Sequence, residues 1–224
     1  MSDLAARLLE VRERVERAAL RADRDPSSIQ LLAISKAQPA QRIREAYAAG
    51  QREFGESYAQ ELKAKAAELV ALEALRWHFV GHLQSNKAKL VAPVVASVHS
   101  VDSEALGREL VKRAPNGRMR VLIEVNIGGE SQKGGVAPEG TLELARALLA
   151  VPGLELTGLM CVPPAESPAR PAFARLRQLR DSIATSLGHP LPELSMGMSG
   201  DFEEAIEEGS TIVRVGTAIF GSRG

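Results

Sequence analysis

The sequence predicts an α/β protein built as a single (β/α)8 barrel of the TIM type, with an extra N-terminal helix. Three observations predict it. Eight short apolar runs alternate with helix-like segments, in units of roughly 20 to 35 residues that suffice for a strand and its crossover. No Gly-x-Gly-x-x-Gly turn follows the first strand, as it would in an open nucleotide-binding sheet. With aromatics at 4%, the core must be aliphatic, as in a parallel sheet covered by helices.

The extra helix runs from about Asp3 to Asp23, where Leu4, Leu8, Val11 and Val15 form one apolar stripe among arginines and glutamates. Leu31–Ser35 is the first strand, and Pro39 opens a helix that stops at Gly50. Gln51–Phe54 is the second strand, followed by a helix from Glu56 to about Glu73. Trp77–Gly81 and Val98–Val101 are the third and fourth, each with a helix behind it, the latter capped by Asp102 or Ser103. Met119–Asn126 and Leu156–Val162 follow, with helices over Pro138–Ala150 and Pro168–Leu187. Glu193–Met198 is the seventh strand, and Thr211–Phe220 the eighth.

The 224 residues read as one domain over positions 1–224, with no linker or low-complexity segment to divide them. Lysine plus arginine and aspartate plus glutamate number 28 each, a net charge of +0 that argues against nucleic acid or an anionic membrane as partner. No apolar run is long enough to span a bilayer. The lone Cys161 and the absence of a signal-peptide pattern point to the cytoplasm.

In such a barrel the active groups gather at the C-terminal ends of the strands. Lys36 stands there after the first strand, and a lysine in that place either salt-bridges a neighbouring carboxylate or reaches a polar cleft. After the last two strands come Leu194-Ser-Met-Gly-Met-Ser-Gly-Asp201 and Val213-Arg-Val-Gly-Thr-Ala-Ile-Phe-Gly221, whose small residues and hydroxyls let backbone N–H groups approach a phosphate. A ligand with an electrophilic carbon at one end and a phosphate at the other satisfies both signals. Pyridoxal 5'-phosphate is such a ligand, and a lysine Schiff base is its usual link.

Those two segments, together with Ala33-Ile-Ser-Lys-Ala-Gln-Pro39, Phe54-Gly-Glu-Ser-Tyr-Ala-Gln-Glu-Leu62 and Trp77-His-Phe-Val-Gly-His-Leu-Gln-Ser-Asn-Lys87, resemble the pyridoxal phosphate homeostasis protein family across essentially the whole chain. The resemblance implies a fold type III barrel similar to the N-terminal domain of alanine racemase, carrying the cofactor on Lys36. It also implies that Ser195, Gly216 and Thr217 hold the phosphate and that Arg214 sits by the pyridine nitrogen. Where the family commonly reads Gly-Glu-Asn this chain has Gly55-Glu56-Ser57, so Ser57 offers a shorter hydroxyl in place of an amide. His82, at the end of the third strand, is a further candidate contact.

The function so implied is cofactor binding and supply, without a catalytic reaction and with apo-enzymes that require the cofactor as partners. The chain is expected to be a monomer, because the second domain through which the related racemases dimerise does not follow the barrel. The alternative is an amino-acid racemase with Lys36 as one base and water or Tyr58 as the other; a barrel enzyme acting on a sugar phosphate is a third reading. Lys133 is either a solvated loop lysine or a second amine that accepts the cofactor. Cys161 reads as a core thiol, and His78 with His82 lacks a third ligand for zinc.

Overall fold

Helical spacing of Leu4, Leu8, Val11 and Val15 buries one face of α1 (Asp3–Arg21), in a computed structural model that describes residues 3–130, 132–165 and 167–221. Behind it the chain alternates as anticipated. The strands are β1 (Gln30–Ile34), β2 (Glu53–Glu56), β3 (Arg76–Phe79), β4 (Val95–Val101), β5 (Met119–Glu124), β6 (Leu154–Met160), β7 (Glu193–Ser195) and β8 (Ile212–Val215). Between and after them lie α2 (Ala40–Ala48), α3 (Ala59–Glu68), α4 (Ala88–Val91), α5 (Glu104–Arg113), α6 (Thr141–Leu149), α7 (Ala169–Leu187), α8 (Phe202–Glu207) and α9 (Thr217–Phe220). Each strand pairs in parallel with the next, and β8 returns to β1 with Leu32 opposite Arg214, so the barrel closes.

Strand boundaries differ from the sequence reading by a few residues throughout, and three of the differences bear on the site. The apolar run Thr211–Phe220 is a strand only to Val215, after which Gly216 turns the chain and Thr217–Phe220 coil as α9. Apolar content alone does not distinguish the two states over so few residues. The second strand starts at Glu53 rather than Gln51, because the Gln51 amide bridges the carbonyls of Leu31 and Glu53 below the sheet. Glu56 therefore ends β2 instead of opening a helix, which places its carboxyl in the protein interior. The seventh strand stops at Ser195.

The outer core lies between strands and helices, built on Leu, Val, Ile and Ala with Phe54, Phe79, Phe173 and Phe202 as its largest fully buried members. The barrel interior is divided. One side is apolar, from Leu32, Leu122, Met160 and Ile212. The other is polar: His99 of β4 reaches Ser195 of β7, and because those strands do not pair, both side chains must lie inside the barrel. Gly158 permits the close approach of β6 to β7, since a side chain there would fall 1.9 Å from the Glu193 carbonyl oxygen.

α1 packs against α8 and α9, the last helices of the chain. Arg7 donates to the Ile219 carbonyl at 2.9 Å, and Arg14 pairs with Glu203 at 2.8 Å. No helix among the described residues is long and apolar enough to cross a membrane.

Candidate functional site

Lys36 follows β1 and is half-buried, and among the described residues its ammonium makes no hydrogen bond or ion pair. The backbone on either side of it is gripped. Ala37 has φ 59°, a left-handed conformation that costs a side-chain-bearing residue about 1–2 kcal/mol and persists only where its surroundings impose it. Here the N–H of Ala37 donates to Glu61 Oε1 at 2.7 Å, and the carbonyl of Ser35 accepts from Lys65 Nζ at 2.6 Å. Lys65 also donates to Glu61 at 2.6 Å and to Glu56 at 2.7 Å, while the Ser35 hydroxyl donates to the same Glu56 oxygen at 2.7 Å. An ion cluster anchored on α3 and β2 thus holds the turn that carries Lys36. Burial pushes the Glu56 carboxyl up, against the hydrogen bonds from Lys65 and Ser35 that pull it down.

Lys36 opens into a cavity of about 310 Å³ at the C-terminal end of the barrel. Ile34, Val80, Val162 and Met198 give it apolar walls, and its polar lining is Lys36, Ser57, Arg214 and the two turns Ser199–Gly200 and Gly216–Thr217. In the second turn pair, Ser199 Oγ accepts from the N–H groups of Gly216 and Ala218, both at 3.3 Å. Those donors are backbone groups aimed at an oxygen, the arrangement that suits an anion. Gly216 also lets the turn press on β1, as a Cβ there would come 3.3 Å from the Ile34 carbonyl oxygen.

Arg214 is 5% exposed. Its Nη1 donates to the Ser195 carbonyl at 2.6 Å and to Ser195 Oγ at 2.8 Å, and Nη2 donates to the Cys161 carbonyl at 2.8 Å. Its Nε–H and remaining Nη2–H have no partner among the described residues, and the side chain lines the cavity. Burial lowers its pKa, with partial compensation from Cys161, Glu124 and Asp201. A second cavity, of about 430 Å³ between Arg76, Trp77, Pro93 and Arg118, lies at the N-terminal ends of the strands, the end of such barrels that serves stability.

Of the residues anticipated from sequence, Lys36, Ser57, Arg214, Gly216 and Thr217 line one cavity. Ser195 does not. It is fully buried beneath Arg214, and Ser199 of the same motif lines the cavity instead. His82 is exposed and opens onto an adjoining groove of about 180 Å³, shared with Ser57, Tyr58 and Lys87. The Lys133 amine is engaged by Glu130 at 2.6 Å and by the Pro163 carbonyl at 3.0 Å. Cys161 is a buried thiol that burial pushes up to about 12.

Sequence reasoning missed Lys65 and Glu61, and also the interior groups Glu53, Ser97 and His99; Ser199 lay within a segment it had singled out for a phosphate. The i, i+2 pair Ser97 and His99 was the available signal, because such a pair on one strand shares a face. His99 carries a pH consequence. Burial, with His78, Arg214 and Arg120 nearby, holds its pKa well below 6.5. The unfolded chain then binds a proton that the folded one does not, so stability is full above pH 6.5 and falls by about 1.4 kcal/mol per pH unit below it. Urea unfolding of His99→Gln at pH 7.5, 6.0 and 5.0 should show that slope reduced by one proton; equal slopes would refute it.

A closed parallel barrel with an unpaired lysine after β1, a buried arginine on β8 and a glycine–hydroxyl rim defines the class of alanine racemase-like barrels. The profile described as "Alanine racemase, N-terminal domain" matches residues 8–224. Within that class the chain belongs to the pyridoxal phosphate homeostasis protein family. It is 47% identical over 222 residues to the pyridoxal phosphate homeostasis protein of Aquifex aeolicus, covering 97% of each chain. It is also 47% identical over 228 residues to that of Pseudomonas aeruginosa, covering 100% of this chain and 97% of the relative. Among solved structures, PipY of Synechococcus elongatus with PLP bound superposes with a TM-score of 0.83 at 38% identity, covering 98% of this chain and 100% of PipY.

Proposed function

We propose that this protein is a cytoplasmic monomer, a single barrel domain that holds pyridoxal 5'-phosphate covalently on Lys36 and supplies it to apo-enzymes, rather than catalysing a reaction of its own. The observation that carries the reading is the unpartnered Lys36 ammonium in the same cavity as Arg214 and the Ser199/Gly216 turns. The residues fit the group. Its aldehyde condenses reversibly with a lysine amine, releasing water, and its phosphate seeks N–H donors. Gly216, Thr217 and Ser199 are placed to receive the phosphate, with Ser57 contributing a hydroxyl. Ser195 supports Arg214 from beneath and leaves the phosphate to Ser199.

Arg214 also bears on what the protein does with the group. A guanidinium is charged and donor-only, so it favours an unprotonated ring nitrogen and weakens the ring as an electron sink. That suits holding over amino-acid chemistry. The racemase reading needs a second base; Tyr58, 58% exposed, lines the adjoining groove and not the cavity.

Two measurements test the proposal. The protein with the cofactor should absorb near the edge of the visible and lose that band on borohydride reduction; a colourless protein would sink the holding role. Amino acids incubated with it in heavy water should exchange their α-protons no faster than with free cofactor. Rapid exchange, stereospecific or two-sided, would favour the enzyme instead.

A further inference from the structure

An unbroken run of side-chain hydrogen bonds crosses the polar half of the barrel interior, from the cavity to the opposite rim. Arg214 Nη1 donates to Ser195 Oγ at 2.8 Å, and Ser195 Oγ lies 2.9 Å from His99 Nδ1. His99 Nε2 is 2.8 Å from Ser97 Oγ, which is 2.7 Å from His78 Nδ1. His78 Nε2 is 2.6 Å from Glu53 Oε2. Ser195 and His99 are 0% exposed, Ser97 2% and His78 4%, so these groups are shielded from bulk solvent and bonded to one another. Glu53, first residue of β2, sits at the N-terminal end of the barrel, far from the cavity in the topology, with Arg76 as its surface neighbour.

The two ends fix the direction of every link. A guanidinium only donates, so Ser195 Oγ accepts from Arg214, and its own proton has one remaining acceptor in the hydrogen-bonding pattern, His99 Nδ1. With Nδ1 accepting, the buried His99 ring carries its proton on Nε2 and donates to Ser97. The Ser97 hydroxyl then donates to His78 Nδ1, and His78 Nε2–H donates to Glu53. Burial pushes the Glu53 carboxyl up, yet the hydrogen bond from His78 and the charges around it bring it net below the usual carboxylate range. It ends the run as a pure acceptor. All dipoles point the same way, and hydrogen bonds aligned in series strengthen one another in a low-dielectric interior.

The run also answers a question of charge. Arg214 is buried and has no carboxylate in contact among the described residues, and a buried charge is tolerated only when paired and hydrogen-bonded. Glu124 and Asp201 act on it through space, and Glu53 ends the hydrogen-bonded run as its carboxylate terminus. Locking Nη1 downward leaves the Nε–H and the free Nη2–H for the cavity.

We propose that Glu53 is a positioning residue for Arg214, acting through Ser195, His99, Ser97 and His78 to orient and polarise the guanidinium from the far end of the barrel. The role rests on the reading of the cavity as a cofactor site. The first test needs no cofactor: long-range proton–nitrogen spectra of protein labelled with ¹⁵N-histidine should show both His78 and His99 protonated on Nε2 and bare on Nδ1. The opposite tautomer at either ring overturns the proposal.

The second test is Glu53→Gln, which keeps the shape but offers an amide that can donate, so that the direction is no longer imposed. Mixed tautomers at both histidines and a Kd for pyridoxal phosphate raised about tenfold are expected, with Lys36 still trapped by borohydride at saturating cofactor. Glu53→Asp, which restores the charge, should recover the Nε2–H tautomers and most of the affinity. Tautomers and Kd unchanged to within twofold in Glu53→Gln overturn the role. A wild type that binds no cofactor overturns the cofactor reading and the positioning role with it, while the tautomers report on the run itself.

Discussion

Lys36→Ala protein, mixed with pyridoxal phosphate and reduced with borohydride, is expected to retain no specifically attached cofactor where the wild type is labelled at close to one equivalent. Lys36 supplies the amine of the cavity lining, and its ammonium has no partner among the described residues. The nearest competitors are tied down: Lys65 lies between two glutamates, and Lys133 is paired with Glu130. The phosphate donors survive the substitution, so the variant should still bind the cofactor reversibly, more weakly, and without the band near the visible edge. An adduct of equal occupancy in Lys36→Ala would show the anchor to be elsewhere. Peptide mapping would then decide whether Lys133 had taken it.

Lys65→Met is expected to destabilise the fold by about 3–5 kcal/mol in chemical denaturation, the range for removing one partner of a buried ion pair. The Lys65 side chain is 8% exposed and Glu56 is fully buried, so methionine replaces the stem but leaves two carboxylates without their cation. The sign with pH follows from Glu56. Its folded pKa already lies above 4.5 through burial, so the cost of burying it ionised is present above that pKa and vanishes as pH falls towards 4.5. The deficit of Lys65→Met should therefore shrink between pH 7 and pH 5. Loading of Lys36 should fall too, because Lys65 no longer ties the Ser35 carbonyl and Glu61 together beside the strained Ala37. Glu61→Gln, which keeps an acceptor for the Ala37 N–H, should cost only about 1 kcal/mol. A Lys65→Met protein within 1 kcal/mol of wild type at pH 7 would remove the cluster's role in holding the turn.

The alternation of apolar runs made the barrel legible, since strand-and-crossover spacing survives errors of a few residues at each boundary. Lys36, Ser57, Arg214, Gly216 and Thr217 were legible for a related reason: strand ends in a closed barrel converge whatever the details between them. What the chain hid was of two kinds. Lys65 lies three residues after Leu62 and four before Leu69, on the buried face of α3, where a lysine reads as an exception until the Lys36 turn and Glu56 are seen to supply its partners. Glu53, His78, Ser97 and His99 come from three strands and look like scattered polar exceptions until the barrel rolls them into one line. Ser195 was expected at the phosphate from the family resemblance; the strand ends between it and Ser199, and the chain carries the two hydroxyls to different depths.

The docking of α1 onto α8 and α9 has a consequence in time rather than in space. On the ribosome α1 emerges first, and its partners emerge roughly 180 residues later, a wait on the order of 10 to 40 s at about 5–20 residues per second. Throughout it, the stripe of Leu4, Leu8, Val11 and Val15 lacks its α8 and α9 surface and has only α2 nearby, so the nascent chain displays an apolar stripe that chaperones can grasp. The seam between β8 and β1 joins the same two ends of the chain. Some 180 residues must therefore be made after α1 before either contact can form, and α1 is among the last elements to settle.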